Sequence, residues 1–258
     1  MPGPSFVGNR RRRMLQTILG RFGIYYSKRQ FMPRGIEWLW DLARLTPAVT
    51  VRTVIDVGAN EGQTARAILR AFPGAAVHAF EPVQGTFDVL RQAHGADPRV
   101  RLNRLVVSSE AGVAWVQAES SSLNSHVVPA TAAGGARVES VDAVTLDDYC
   151  AQHDIARIDI LKTDTEGHDL QVMKGARNLL AAGKIEWVLV EVTFNPNDAV
   201  ISLFGPIHDF LAEHGMAPWC FYDHCHTEAD RNLLFCNVLF VRRAAVATIA
   251  QGPQDVPL

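Results

Sequence analysis

The chain has 258 residues, of which 48% are hydrophobic, and a formal net charge of −2. This length suits one sizeable core. The near-neutral charge gives no electrostatic reason to expect a nucleic acid as partner, because proteins that bind a phosphate backbone usually carry an excess of basic residues. We expect one domain over residues 35–245, with a basic arm and helix at residues 1–34 before it and a tail at residues 246–258 after it.

The arm carries the most concentrated charge of the chain. Four arginines, Arg10–Arg13, precede the apolar run MLQTILGRFGIYY, which is too short to cross a bilayer and is interrupted by Arg21. No small-residue cleavage site follows this run, so we expect a cytoplasmic protein and not a secreted one. The arm is interpreted as a solvated segment and a helix, with weak peripheral membrane contact as the alternative.

The cysteines are few and irregularly spaced, which indicates reduced thiols and favours burial. They are Cys150, Cys220, Cys225 and Cys236. Three of them lie near His214, His224 and His226, and such residues can hold zinc. No CxxC pair occurs, so a structural zinc site stays the less favoured interpretation.

Helical and strand-like segments alternate along the chain. A first helix is predicted at residues 35–45, where Pro47 closes it. Strands follow at 51–57, 76–80 and 100–107, with helices at 62–71 and 84–93 between them. A second series has strand 158–163, helix 169–181, strand 187–192 and helix 206–213. Such alternation predicts parallel pairing through crossovers.

The end of the chain breaks this alternation. The segment WCFYD at Trp219 and the run from Leu233 are strand-like and have only a polar loop between them, which permits an antiparallel hairpin. The fold class is therefore α/β and Rossmann-like, with a seven-stranded, mostly parallel sheet, a C-terminal antiparallel hairpin and helices on both faces. The Ser/Ala/Gly-rich segment at 118–137 is predicted to lie over the site as a loop.

The stretch VIDVGANEGQTARAIL at 54–69 leads from a strand through Gly58 and Gly62 into a helix. A first strand-to-helix turn at the edge of a parallel sheet binds ligands, and these glycines would let one approach the backbone. Asp56 at the strand end and the order DxGxNxG, which includes Asn60, replace the GxGxxG of dinucleotide sites. A carboxylate here repels a pyrophosphate and attracts the amino and sulfonium groups of S-adenosylmethionine.

A second acidic residue supports the same ligand. Glu81 ends the second strand, a position that binds ribose hydroxyls in Rossmann-like sites. Asn103 and Ser108, near the end of the third strand, are candidates for the adenine side. Asp56 has an alternative interpretation as a helix cap.

The block IDILKTDTEGHDLQVMKGA at 158–176 brings Asp164 to the end of another strand, and Glu166 into the turn after it. Lys162 lies two residues before Asp164, so both side chains are predicted on one face, where the lysine would keep the carboxylate ionised. Glu166 could instead cap the next helix. His168 is a further candidate base, although a surface histidine is the favoured interpretation.

These segments, together with VHAFEP, VTLDDY and WVLVEV, resemble the successive motifs of the FkbM-type methyltransferases. The resemblance covers about residues 51–241 and implies a class I methyltransferase fold, S-adenosylmethionine as cofactor and O-methylation of a hydroxyl on a saccharide, glycolipid or secondary metabolite. It places Asp56, Gly58, Asn60, Gly62 and Glu81 around the cofactor, and Lys162, Asp164, Glu166 and Glu191 around the acceptor. Asp169 and Thr165 depart from the residues that are common in the family.

In this interpretation Asp164 is the first candidate for the base and Glu166 the second, while Glu191 orients the acceptor. Three converging carboxylates could bind Mg²⁺, but a metal is not expected. The sequence leaves two alternatives to a methyltransferase. One is a nicotinamide-dependent oxidoreductase, and the other is a catalytically inactive Rossmann-like binding module.

Overall fold

A computed structural model of the chain describes residues 34–45, 50–118, 126–129, 131, 137–198, 200–227 and 232–244. The predicted tail, and all but the last residue of the predicted arm, lie outside these ranges.

The first half of the chain alternates as predicted. Its elements are α1 (Trp38–Leu45), β1 (Thr53–Val57), α2 (Gln63–Ala71), β2 (Ala76–Phe80), α3 (Gln84–His94) and β3 (Val100–Asn103). Helix α2 forms because Ala65, Ile68 and Leu69 recur at helical spacing and are buried. Gly62 precedes it at φ 86°, in the left-handed region that glycine tolerates best.

The predicted third strand is wrong beyond Asn103. The chain leaves the main sheet there and starts a second, four-stranded sheet with strand order β4-β7-β5-β6. Its strands are β4 (Val106–Val107), β5 (Gly112–Gln117), β6 (His126–Val128) and β7 (Val138–Val144). Part of the segment predicted as a loop is therefore strand β6, while residues 119–125, 130 and 132–136 lie outside the described ranges.

The second half returns to the main sheet. Its elements are α4 (Leu146–Gln152), β8 (Ile158–Thr163), α5 (Asp169–Lys174), α6 (Arg177–Ala181), β9 (Ile185–Thr193), α7 (Phe204–Glu213), β10 (Met216–His226) and β11 (Leu233–Arg242). The helix predicted at 169–181 is broken at Gly175. A Cβ at Gly175 would lie 2.1 Å from the carbonyl oxygen of Ser108, so only glycine allows this close approach.

The main sheet has the order β10-β11-β9-β8-β1-β2-β3. Strand β11 runs antiparallel to β9 and β10, and the other pairs are parallel. The predicted seven strands and C-terminal hairpin are confirmed. The chain proceeds from β1 to β2 and β3 on one side, and from β8 to β9 on the other. The switch point therefore lies between β1 and β8, where Asp56 pairs with Lys162.

Helices cover both faces of this sheet, as predicted. On one face, Ile55, Leu161 and Val188 pack in a core cluster with residues of α4 to α7. On the other face, Val54 and Ile160 pack with residues of α1 and α2. Neighbouring strand residues thus alternate between the two clusters, which fixes the register and with it the residues that reach the carboxyl ends.

Candidate active site

A cavity of about 280 Å³ opens at the carboxyl ends of β1, β2 and β8, close to the lower limit of about 300 Å³ for small-molecule sites. The turn after β1, the segment after β2, the turn after β8 and the second sheet form its walls. The residues that line it are Val57, Gly58, Ala59, Asn60, Gln63, Thr64, Phe80, Glu81, Pro82, Val83, Leu105, Val106, Val107, Val116, His126, Val127, Lys162, Asp164, Thr165, Glu166 and His168.

Gly58 joins two sides of this cavity. A Cβ at this position would lie 1.8 Å from the carbonyl oxygen of Asp164, and its φ is +75°. The backbone N–H of Asp164 donates to the carbonyl of Val57 at 3.1 Å, which continues the pairing of β1 with β8. Glycine is therefore required here for a close approach of two backbone segments, and not only for space beside a ligand.

Gly62 packs against α3. A Cβ there would lie 2.4 Å from the ring of His94 and 2.8 Å from Leu90, both in α3. His94 Nε2 lies 3.0 Å from the Gly62 carbonyl oxygen. Gly62 does not line the cavity, so it supports the turn by packing against α3.

Glu81 and Asn60 form the acidic side of the turn. Glu81 Oε2 accepts from the backbone N–H of Asn60 at 3.1 Å, and Oε1 accepts from that of Val83 at 3.0 Å. Burial raises the pKa of Glu81 to about 7, and both backbone bonds act against this rise. The Asn60 side-chain oxygen is buried and has no hydrogen-bond partner within the described ranges. Each group keeps acceptor capacity for a ligand in the cavity.

Asp56 lies behind the cavity. Its side chain is fully buried, and neither carboxylate oxygen makes a hydrogen bond within the part of the chain that the structure describes. The nearest cation is the Lys162 ammonium, with Nζ 3.5 Å from Asp56 Oδ1. Burial raises the pKa of Asp56. The N-cap residue of α2 is Gly62, and no side chain caps this helix, so the interpretation of Asp56 as a helix cap is wrong.

Lys162 connects this buried carboxyl group to the cavity. Its Nζ also lies 3.3 Å from Asp164 Oδ2 and donates to the Gly58 carbonyl at 3.1 Å. Burial alone would lower the pKa of Lys162, but the attraction of Asp164 and Asp56 outweighs burial and raises it. The predicted pairing of Lys162 with Asp164 is present.

Asp164, Glu166 and Glu191 interact electrostatically near the carboxyl ends of β8 and β9. Burial, followed by repulsion from Asp164, raises the pKa of Glu166 to about 7 and that of Glu191 to about 8. Asp164 and Glu166 line the cavity, whereas Glu191 in β9 does not. The N-cap residue of α5 is His168, and no side chain caps this helix, so Glu166 is not its cap.

His168 lines the cavity and is partly buried, so the interpretation as a surface histidine is wrong. Its Nε2 lies 3.0 Å from Ser108 Oγ, and burial lowers its pKa. Ser108 therefore positions His168 and does not line the cavity itself. Asn103 does not line it either, because its amide bonds the carbonyls of Ala79 and Arg101 and accepts from the Tyr149 hydroxyl.

The second sheet supplies an apolar wall that sequence reasoning missed. Strand β4 brings Val106 and Val107 to the cavity, β5 brings Val116, and β6 brings His126 and Val127. The β-branched run GVAWVQ at 112–117 was the available signal, but two-residue β4 and three-residue β6 are too short to be recognised by alternation.

Within the described ranges, no group of three or more His, Cys, Asp or Glu residues is arranged to hold a metal ion. Cys150 and Cys236 are buried, and Cys220 and Cys225 are partly exposed. No helix in the described part of the chain is both long and apolar enough to span a membrane.

The strand order places the reversed last strand β11 between β9 and β10, and the cavity lies at the switch point with an acidic residue after β2. This arrangement is that of the class I methyltransferases, which the sequence motifs had implied.

The sequence profile of the Methyltransferase FkbM domain matches residues 56–216, and the chain belongs to this family. The chain is 33% identical over 219 residues to the 31-O-demethyl-FK506 methyltransferase FkbM of Streptomyces tacrolimicus. The aligned region covers 72% of this chain and 81% of that protein. It is 29% identical over 143 residues to the hexuronic acid methyltransferase AglP of Haloferax volcanii, covering 53% of this chain and 54% of that protein. The solved METTL16 methyltransferase domain is similar over 80% of this chain and 65% of its own, at 12% identity and a TM-score of 0.47.

Proposed function

We propose that the protein is an S-adenosylmethionine-dependent O-methyltransferase that acts on a hydroxyl of a saccharide, glycolipid or secondary metabolite. The observation that carries the proposal is the cavity at the switch point, which is lined by Glu81 and Asn60 after β2 and β1, and by Asp164 and Glu166 after β8, here called the acceptor end. Family membership supports methyl transfer. The name of one relative, the 31-O-demethyl-FK506 methyltransferase, supports an oxygen acceptor.

The residues present fit the cofactor. Glu81 retains acceptor capacity for ribose hydroxyls, and the buried Asn60 oxygen is an unpaired acceptor on the cavity wall. Val83 and Val106 give an apolar surface for a purine ring. S-adenosylmethionine, when bound, supplies an electrophilic methyl group. Asp56 is buried and is proposed to act on the cofactor through Lys162, whose ammonium also donates to the carbonyl of Gly58 in the turn after β1.

Glu166 is proposed as the base that takes the acceptor proton. Its carboxyl group lines the cavity and has a pKa of about 7, near the value at which a general base works best at neutral pH. Asp164 is held by Lys162 and is proposed to orient the hydroxyl. Lys162 thereby acts as a positioning residue, and Glu191 lies close enough to Glu166 for repulsion between the two to raise the pKa of Glu191. Alignment of the hydroxyl accounts for the rest of the assistance.

Calorimetry with S-adenosylmethionine, followed by incubation with labelled cofactor and a panel of glycosides and polyols, tests the proposal. We expect binding in the micromolar range and a product whose new methyl group NMR locates on oxygen. Binding of NAD in place of S-adenosylmethionine would favour the oxidoreductase, which family membership does not support. Cofactor binding without transfer to any acceptor would favour an inactive module.

Peripheral membrane contact through residues 1–34 and a cytoplasmic location stay predictions. Flotation of the full chain, and of a chain lacking these residues, with anionic vesicles tests the first. Cell fractionation tests the second.

A further inference from the structure

The segment after β9 exposes apolar side chains beside the acceptor end of the cavity. Six large hydrophobic side chains are exposed among the described residues, and three of them lie in this segment: Phe194, Val200 and Leu203. We call these three residues the apolar rim. Single exposed apolar side chains are ordinary, but a concentration beside a charged site indicates a binding surface.

The rim is held in place by its surroundings. The ring centroid of Phe194 lies 5.1 Å from that of Phe204, which lies 6.1 Å from that of Phe221. The Thr193 N–H donates to the Ser202 carbonyl at 2.9 Å, which closes the segment on itself. An acceptor would therefore meet a preorganised surface and would not have to order a loop on binding.

Contacts with the turn after β8 place the apolar rim next to the acceptor end of the cavity. A Cβ at Gly167 would lie 2.7 Å from the carbonyl oxygen of Val200. Ser202 Oγ donates to Asp169 Oδ2 at 2.7 Å, at the start of α5. The charge of Asp198, between Phe194 and Val200, also acts on Glu166. The rim thus continues the surface that begins at Glu166.

The charge of this surface disfavours an anion. The side chains that act most strongly on Glu191 are three carboxyl groups, those of Asp164, Glu166 and Asp169, and the Lys162 ammonium. The Lys162 side chain is only 8% exposed and already contacts Asp56 and Asp164. It is therefore not available to pair with a carboxylate on an acceptor, which would lie beside Asp164 and Glu166 without a counterion and would oppose the ionisation of Glu166.

We propose that the acceptor is an uncharged molecule whose apolar face packs against the apolar rim while its hydroxyl enters beside Glu166. This inference rests on the proposed function and narrows its acceptor to one class. It distinguishes this chain from its relative that is named for hexuronic acid, because a uronate would bring a negative charge to the acceptor end.

Octyl β-glucoside and octyl β-glucuronide are suitable probes, since they share an apolar chain and differ in one carboxylate. Both are titrated below their micellar concentrations against the full chain saturated with S-adenosylhomocysteine, with saturation-transfer NMR as readout. We expect the glucoside to bind at least about tenfold more tightly than the glucuronide. Failure of the glucoside to bind, or tighter binding of the glucuronide, would overturn the proposal.

Variants of the rim separate it from non-specific apolar binding. Val200 and Val89 are matched, because they are 42% and 43% exposed and Val89 lies in α3. We expect Val200→Ser to weaken glucoside binding about threefold and Phe194→Ser about tenfold, with no change for Val89→Ser. Equal effects at Val200 and Val89 would overturn the role of the rim.

S-adenosylhomocysteine affinity, measured separately on each variant, keeps the two proposals apart. Unchanged cofactor affinity together with a preference for the glucuronide would overturn the acceptor class and leave the proposed function standing. Absence of cofactor binding to the unaltered chain would overturn both.

Discussion

Lys162 contacts Asp56 and Asp164 at the same time, with its Nζ 3.5 Å from the first carboxylate and 3.3 Å from the second. One carboxyl group is fully buried and the other lines the cavity. The ammonium therefore links the stability of the switch point to the position of Asp164, which is proposed to orient the hydroxyl of the acceptor.

Replacement of Lys162 by Met is expected to lower the free energy of unfolding by about 3–5 kcal/mol, because it leaves Asp56 buried without a counterion. Urea unfolding followed by circular dichroism measures the change, with the exposed Lys184→Met as control. The double variant Asp56→Asn, Lys162→Met is expected to regain part of the loss. A double variant less stable than the single one would contradict an Asp56–Lys162 pair.

Gly58→Ala is expected to prevent folding or to abolish cofactor binding, because its Cβ would lie 1.8 Å from the Asp164 carbonyl oxygen. Gly85 in α3 is the matched control, since a Cβ there meets nothing within 4 Å. Gly85→Ala is expected to change stability by about 1 kcal/mol or less, in the stabilising direction. Thermal unfolding compares the two, and a Gly58→Ala protein with unaltered melting and cofactor affinity would refute the close approach.

At pH 8, where Glu81 with its pKa of about 7 is mostly ionised, Glu81→Gln is expected to weaken S-adenosylhomocysteine binding about tenfold or more, because hydrogen bonds to a charged acceptor contribute about 1.5–3 kcal/mol. Calorimetry of the purified variant gives the dissociation constant. Glu61 lies in the same turn and is exposed, so Glu61→Gln serves as control. Equal effects of the two substitutions would remove Glu81 from the cofactor site.

Stability is expected to fall as the pH rises from about 4.5 to about 8, in part through Glu191, whose pKa is raised to about 8. In this window the unfolded chain has lost the proton and the folded chain still holds it, so a rise in pH favours unfolding. Glu191→Gln removes this dependence. We expect the variant to match the parent near pH 4.5 and to be more stable at pH 8 by at least about 1.4 kcal/mol, the value of one pKa unit. A rise in the urea midpoint of the unaltered chain between pH 4.5 and pH 8 would contradict this prediction.

The pH dependence of kcat/KM separates the two candidate bases. If Glu166 takes the proton, the rate rises with pH around its pKa of about 7, because only the ionised form accepts a proton. Glu166→Gln is expected to abolish this rising limb and to lower kcat/KM, while Asp164→Asn lowers the rate but retains the limb. If Glu166→Gln retains the rising limb, another group takes the proton and Glu166 is not the base.

Much of the site could be predicted because strand ends of a parallel sheet converge at one edge. The positions of Glu81 and Asp164 at the carboxyl ends of β2 and β8 follow from this rule, and the contact of Lys162 with Asp164 follows from strand alternation. The burial of Asp56 could not be predicted, because it depends on neighbours that are distant in sequence. The same holds for Gly62, which packs closely against the side chain of His94 in α3.

The second sheet was missed for a physical reason. Two of its strands, β4 and β6, have only two and three residues, and the sheet interrupts a chain that otherwise alternates strands with helices. Local propensity carries little weight over two or three residues, since pairing partners decide such strands. The loss mattered, because Val116 and Val127 line the cavity.

This small sheet has a hydrophobic cluster of its own, formed by Val83, Val106, Val116, Val141 and Ala143. Val107 and Val144, by contrast, pack with the larger cluster of the main sheet, so the insertion is anchored there at its β4–β7 edge. Because Val116 belongs to the small cluster and also lines the cavity, exchanges among these buried valines should reshape that wall without disturbing the packing of the seven-stranded sheet.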